Sequence, residues 1–465
     1  MKKVNVVFVG GGSTYTPDML ELLCLVKDKF HVRKVVLYDI DAARQNIVGD
    51  YGEVLFREYY PELEEYIVTT DKEVAFKEID FAFVQIRPGG LEMREKDEKI
   101  PLKYGVIGQE TCGPGGFAYG LRSVKAMKEF IEDFRYYSPE AWILNYSNPA
   151  AIVAEMCKVL FPNDHRIINI CDMPISIMDV YCPLANKTRL DVEPRYYGLN
   201  HFGWFTAMYD KKTGEDVLPQ IIDALYEGDV DDRLGFSGKN DEYWTFTFKH
   251  LEKMVRDYPH SLPNTYLQYY LYPQDMVKHT DPNYTRTNAV IDGREKRVFT
   301  FCKQVAKAGK MRGTEFDLDI KYSNDTDSIK SASIAHNDAH ATYIIELALS
   351  ILHNSNDIFL LIVPNEGVVS NLDDGMMLEV ACRVGANGAE PLHFGKAGTF
   401  EKGLLEAQYA SEKLAVEAVL EESYDKALQS LVVNRTVVDT DIARTILDEY
   451  IAVNGDYFPT LKRSR

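Results

Sequence analysis

Val4-Asn5-Val6-Val7-Phe8-Val9-Gly10-Gly11-Gly12-Ser13-Thr14-Tyr15-Thr16-Pro17-Asp18 is the stretch whose reading decides the fold. Val4 to Val9 is an apolar strand of the kind that runs through the centre of a parallel sheet, buried on both faces. Three glycines follow at once. Thr16 then reads as an N-cap with Pro17 at the first helical position, and Met19, Leu20, Leu22, Leu23 and Val26 supply a helical apolar face. A second strand, Val35 to Tyr38, ends in Asp39. Strand, glycine turn, capped helix and acid-ended strand form the order of a dinucleotide-binding βαβ unit. In such a unit Gly10 and Gly12 let the backbone approach a pyrophosphate, Ser13 and Thr14 lead into the helix N-terminus that favours its charge, and Asp39 holds the adenosine ribose. Tyr15 stands where the usual fingerprint has its third glycine.

Working outward, further strands are expected at Phe81 to Ile86, Trp142 to Tyr146 and Arg166 to Ile170, with helical patterns between them. Each ends in turn or polar residues: Arg87-Pro88-Gly89-Gly90, Ser147-Asn148-Pro149 and Cys171-Asp172. Open α/β sheets bind their ligands in the crevice outside such strand ends. The glycine-rich run Gly105 to Gly116, with Gln109 and Glu110 inside it, reads as a loop packed on a ligand, and Arg94 is expected on a helix nearby. From about Arg195 the alternation gives way to a less regular α+β pattern. The expected architecture is therefore α/β: a Rossmann-like, doubly wound parallel sheet over residues 1–194, followed by a catalytic and oligomerisation α+β unit over 195–465. Gly309 to Ser333 reads as an exposed insertion, Asp338 to Leu352 as a helix carrying His340, Ile358 to Val363 as a strand, and Lys402 to Glu422 as a long amphipathic helix suited to a subunit interface.

Composition narrows the partners. The 465 residues are 46% hydrophobic and 26% charged, enough for a large core. A net charge of −19 without a basic run argues against nucleic acid or an anionic membrane as partner. An anionic small molecule would need a local basic pocket. Seven cysteines without a CxxC pair fit a reducing, cytoplasmic setting. No apolar run approaches a membrane span, and the N-terminal one ends in glycines rather than at a cleavage site.

The chemistry-bearing residues lie beyond the glycine turn. Cys171 at a strand end can ligate a metal as thiolate, and Asp172 beside it can protonate a leaving group. His201, in Asn200-His201-Phe202-Gly203-Trp204, would complete a mixed sulfur–nitrogen site, and two protein ligands leave positions open for catalysis. Tyr266 lies in a tyrosine-rich segment, where a hydroxyl near a metal gains acidity enough to serve as a base. Arg286, in Thr285-Arg286-Thr287, offers a fixed guanidinium for bidentate phosphate recognition.

Together, Gly10 to Pro17, Asn145-Tyr146-Ser147-Asn148-Pro149, Cys171-Asp172-Met173-Pro174 and Asn200 to Trp204 resemble the NAD- and metal-dependent glycosidases of glycoside hydrolase family 4. Within that family Cys-Asp-Met-Pro resembles the 6-phospho-α-glucosidases, whereas the β-specific members tend to carry Cys-Asn-Val-Pro. The family is an exception to the two-carboxylate scheme of glycosidases. The resemblance implies a fold like lactate and malate dehydrogenases, a homodimer or homotetramer, NAD, and a divalent metal, Mn2+ foremost. It implies hydride transfer to NAD+ from C3 of the sugar, with the metal on Cys171 and His201 polarising the C2 and C3 oxygens. Tyr266 would then remove the C2 proton and Asp172 would protonate the departing oxygen, before water adds and the hydride returns. Arg94 and Arg286 match positions that bind the 6-phosphate of a phosphorylated disaccharide, Asn148 matches a sugar contact beside the nicotinamide, and Arg87 is expected to line the cofactor side. A β-specific member of the family, a 2-hydroxy-acid dehydrogenase and a non-catalytic NAD sensor are the other readings open to the sequence. The last two leave the Cys171, His201 and Tyr266 combination without a role.

Overall fold

The computed structural model describes residues 3–228, 234, 242–314 and 339–464. Its strands are β1 (Val4–Val9), β2 (Val32–Tyr38), β3 (Glu65–Thr69), β4 (Phe81–Val84), β5 (Trp142–Asn145), β6 (Ile167–Asn169), β7 (Val192–Leu199), β8 (Phe202–Asp210), β9 (Leu262–Pro263), β10 (Asp357–Pro364), β11 (Met377–Gly385) and β12 (Gly388–Pro391). Along β1 the side chains alternate between two cores: Val4, Val6 and Phe8 join one apolar cluster, and Val7 and Val9 join the other. A strand covered on both faces is apolar wherever a polar group lacks a partner, so β1 shows no hydrophobic–polar alternation and carries one polar residue, Asn5, whose Nδ2 donates to the Glu78 carbonyl. Phe8 is fully buried, and burial of such a side chain contributes about 1.5–3 kcal/mol.

Six strands run parallel in the order β6-β5-β4-β1-β2-β3. The order reverses between β1 and β4, and a crevice opens outside the C-terminal strand ends at such a switch point. The sheet does not stop there. β10 pairs antiparallel with β6 through Ile362 and Asn169, and β11 and β12 continue outward to make nine strands. The expected boundary at 194/195 falls inside β7, and the sheet of the first half is extended by strands of the second. β7, β8 and β9 form a separate antiparallel sheet.

Two local expectations shift. The first helix spans Thr16–Leu25 with Tyr15, not Thr16, at the cap position and without a side-chain cap bond; Thr16 lies inside the helix and is buried. The long helix is Thr399–Leu420, and its buried side packs against the helices Gly113–Tyr137 and Ala150–Leu160, so that face is used within the chain. The expected insertion lies outside the described residues from 315 onward. Among the described residues no helix is long and apolar enough to cross a membrane.

Candidate active site

A cleft of about 2330 Å³ opens at the sheet's switch point. Gly10, Ser13, Thr14, Asp39, Arg87, Arg94, Asn148, Cys171, Asp172, His201, Tyr266 and Arg286 all line it. Gly12 serves the site indirectly: its N–H donates to Asp39 Oδ2 at 2.9 Å, and the Asp41 N–H donates to Oδ1 at 3.0 Å. The carboxylate at the end of β2 is thus fixed before any ligand arrives. Gly10 has φ +84°, and a Cβ there would stand 2.7 Å from the Gln85 carbonyl oxygen. Only glycine fits that turn, and the backbone is left bare toward the cleft. These features fit a dinucleotide.

Cys171 follows β6, and its Sγ lies 3.3 Å from His201 Nε2. His201 is not at a strand edge. Leu199 pairs with Phe202, so Asn200 and His201 form a two-residue turn between β7 and β8, and His201 takes φ +63°. That left-handed backbone costs a non-glycine residue roughly 1–2 kcal/mol. Three contacts hold it there: Cys171, Thr111 Oγ1 at 3.2 Å from Nδ1, and the Tyr266 ring stacked at 4.1 Å. Thr111 is itself fixed, because Gln109 Oε1 accepts the N–H groups of Thr111 and Cys112 at 2.6 and 2.7 Å. Burial pushes the His201 imidazolium down to about 4, so the ring is neutral and its lone pair is available to a cation. Burial first, then the neighbouring Glu379 and Asp172 carboxyls, push the Cys171 thiol well up; a cation would act in the opposite sense and favour the thiolate. Among the described residues no cluster of three His, Cys, Asp or Glu side chains is grouped for a metal. The pair therefore fits a divalent ion with most of its coordination left to substrate and water. Behind it, Asn200 Nδ2 donates to Glu379 Oε1 at 3.1 Å, and burial raises the Glu379 carboxyl to about 8.

The two proton-transfer candidates flank this pair. Tyr266 is placed by Asn264, whose Oδ1 accepts the Tyr266 N–H at 3.0 Å and whose Nδ2 donates to Tyr196. Asp172 heads the helix Met173–Tyr181, and its Oδ2 lies 3.1 Å from His340 Nδ1. His340 in turn stacks on Tyr146 at 3.8 Å. Burial raises the Asp172 carboxyl, but the hydrogen bond and charge of His340 outweigh it and hold the group below the ordinary aspartate range.

A basic pocket lies beyond. Glu110 Oε2 is 2.7 Å from Arg87 Nη1 and 3.1 Å from Arg94 Nη1. Burial would raise its carboxyl, yet Arg94, Arg87 and Arg286 together keep it below the usual range. Arg94 also pairs with Glu98 at 2.9 Å, and Glu98 Oε2 accepts the Thr287 N–H at 2.8 Å beside Arg286. Three guanidinium groups gathered in a chain of net charge −19 make a site for an anion.

Residues 5–185 match the family 4 glycosyl hydrolase domain, and residues 196–437 match the C-terminal domain of the same family. The chain belongs to glycosyl hydrolase family 4. The phospho-α-glucosidase PagL of Clostridium acetobutylicum is 54% identical over 99% of this chain and 100% of its own. The maltose-6′-phosphate glucosidase MalH of the same organism is 45% identical over the same shares. A 6-phospho-α-glucosidase from gut microorganisms, solved in complex with NAD and Mn2+, superposes with a TM-score of 0.90 at 46% identity, over 99% of this chain and 100% of that one.

Every residue singled out from the sequence of this family 4 glycosidase reaches the cleft or supports its wall. The positions not singled out are Thr111, Glu98 and Glu379. Glu379 carried a usable signal, a lone carboxylate inside the apolar strand Met377–Gly385. Thr111 lies in the glycine-rich run read as packed on a ligand, but only the fold brings it to His201.

Proposed function

We propose that this family 4 glycosidase hydrolyses α-linked 6-phosphoglucosides such as maltose 6′-phosphate, releasing glucose 6-phosphate. The observation that carries the reading is Asp172, held by His340 in the same cleft as Cys171, His201 and Tyr266. A sugar alkoxide is a poor leaving group and needs an acid, which an aspartate supplies and an asparagine cannot. Similarity to the phospho-α-glucosidase PagL and to MalH supports the α-linked substrate.

When bound, NAD accepts and returns the hydride at C3, and a divalent cation, Mn2+ as in the related structure, withdraws charge from the sugar oxygens. Cys171 and His201 hold the cation. Gly10, Gly12, Ser13, Thr14 and Asp39 hold the dinucleotide, and Arg87, expected on the cofactor side, shares Glu110 with Arg94 and so joins the two subsites. Arg94 and Arg286 clamp the 6-phosphate, and this fixes C2 and C3 of the ring in place for reaction. Asn148 orients the sugar. Tyr266 takes the C2 proton, and Asp172, ionised at rest through its contact with His340, takes up a proton in the complex and gives it to the glycosidic oxygen. The first half of the chain thus carries the cofactor, and the second completes the sugar site and the assembly, a homodimer or homotetramer in the cytoplasm. The seven free cysteines, all buried, suit that compartment.

The test is hydrolysis of p-nitrophenyl α- and β-glucoside 6-phosphates with NAD+ and Mn2+ each present or omitted. Cleavage of the α substrate that needs both additions is expected. Cleavage of the β substrate alone would overturn the role given to Asp172, and net NADH formation from a hydroxy acid would overturn the hydrolase reading.

A further inference from the structure

Beyond Arg286 the chain does not run on as one regular helix. Arg286–Val290 is α-helical, Ile291–Glu295 widens into a π turn, and Lys296–Ala308 resumes the helix. Such widened turns recur at functional sites, because they redirect side chains that a regular helix would aim elsewhere. The last two residues of this one reach across to the glycine turn. Glu295 pairs with Arg44 at 2.6 Å, and Arg44 Nε donates to the Gly12 carbonyl at 2.9 Å. Arg294 sets its guanidinium carbon 4.0 Å from the centre of the Tyr15 ring and its Nη2 3.1 Å from Asp18 Oδ2. Tyr15 and Asp18 are the cap residue and a first-turn residue of the helix Thr16–Leu25. Gly10, Ser13, Thr14, Tyr15, Gly293 and Arg294 line the same cleft.

We propose that Arg294 clamps the pyrophosphate of the bound dinucleotide against the N-terminus of the helix Thr16–Leu25, so that the π turn is a cofactor-binding element. The proposal rests on the reading of the glycine turn as a dinucleotide site. A pyrophosphate diester brings two negative charges into a chain whose net charge is already −19. The helix terminus offsets only about half a charge. The Arg294 guanidinium, whose charge Asp18 balances, adds directed N–H donors above that terminus. Its planar fork can hold a carboxylate on one edge and present N–H groups along another. The Asp18 ion pair and the Tyr15 ring fix the fork before the ligand arrives, which lowers the entropy lost on binding. Arg44, the other cation at the turn, is tied to Glu295 and to the Gly12 carbonyl, so it braces the turn. Arg286 begins the same segment, so one element carries a cation for the sugar phosphate at one end and a cation for the cofactor at the other.

The test is the affinity of full-length protein for NAD+ and ADP-ribose by calorimetry and for adenosine by NMR titration, with glucose 6-phosphate as control. Arg294→Gln is combined with Asp18→Asn, so that no buried carboxylate is left without its partner, and Arg294→Lys is the conservative variant. The double variant is expected to raise the Kd of NAD+ and ADP-ribose about 10- to 100-fold, the range of a charge-assisted hydrogen bond. Adenosine and glucose 6-phosphate binding should change less than about twofold, and Arg294→Lys, which keeps the charge without the fork, should fall between. Unchanged NAD+ affinity in either variant would overturn the proposal. So would an equal loss for adenosine, which reports damage to the turn, or a loss confined to glucose 6-phosphate. If the wild type binds neither NAD+ nor ADP-ribose, the dinucleotide reading beneath the proposal falls instead.

Discussion

Replacing Asp172 with asparagine separates proton donation from everything else this side chain does. The amide is isosteric, and its oxygen can still accept from His340 Nδ1 across the 3.1 Å contact. Exchange of a charged for a neutral acceptor at a partly buried position should cost about 1 kcal/mol of stability, a small shift in Tm. The catalytic cost is larger and depends on the leaving group. General acid catalysis contributes about 10²- to 10⁴-fold, which is about 3–5 kcal/mol of barrier. Maltose 6′-phosphate expels a sugar alkoxide and should lose that whole factor. A p-nitrophenyl α-glucoside 6-phosphate expels a stable phenolate and should lose less than about tenfold. The assay is kcat/KM for both substrates, with NAD+ and Mn2+ saturating and release of the aglycone followed directly. Equal losses on the two substrates would refute the acid role, because they would mean that Asp172 acts before or beside C1–O cleavage. A loss of Mn2+ affinity in parallel would likewise transfer the residue from acid to metal support.

Cys171→Ser should sharply raise the Mn2+ concentration needed for half-maximal activity, since an alkoxide is far harder to form than a thiolate; unchanged metal dependence would remove the Cys171/His201 pair from the site. Arg286→Ala should raise KM for phosphorylated substrates about 10- to 100-fold and leave NAD+ affinity unaltered, and a retained KM would place the phosphate elsewhere. The metal-free protein should lose stability as pH falls. His201 is held neutral in the fold down to about 4, whereas an ordinary histidine gains its proton near 6.5. The unfolded chain therefore binds more protons between those values, and up to about 3 kcal/mol should disappear across that window. Denaturant titrations of wild type and His201→Gln at pH 7 and pH 4.5 test this, and parallel losses in the two proteins would contradict it.

The first half of the fold was legible because its signals are local. β1 is apolar at five of its six positions, the turn needs glycine at 10, and Asp39 ends the next strand, all within one contiguous stretch. β3 escaped notice: Glu65–Thr69 lies at the sheet's end, only partly buried, so no strong apolar pattern selects it. β10 was read correctly from its apolar run. Its antiparallel place beside β6, however, depends on which edge the first half leaves open, and no periodicity encodes that. The Cys171 and His201 pair could be suspected from residue types and the family resemblance. The turn that delivers His201, and the partners Thr111, His340 and Glu379 that hold the site's groups, come from segments far apart in sequence. Their meeting is a property of the packed chain.

The antiparallel strands appended to β6 have a further consequence, for how this molecule can be taken apart. β6 is only three residues long, Ile167–Asn169, and the strand that shields its outer edge arrives from residue 357 onward. A fragment ending near residue 190 would present that edge bare, and bare edges invite pairing with other chains. It would also lose the helices Ala339–His353 and Thr399–Leu420, which bring Tyr343, Leu347, Leu405, Val416 and their neighbours into the same two cores as β1. A swap of either half between relatives should therefore have to preserve the β6–β10 pairing and both shared cores. Folding should likewise act on the whole chain, since both cores draw on residues from each half.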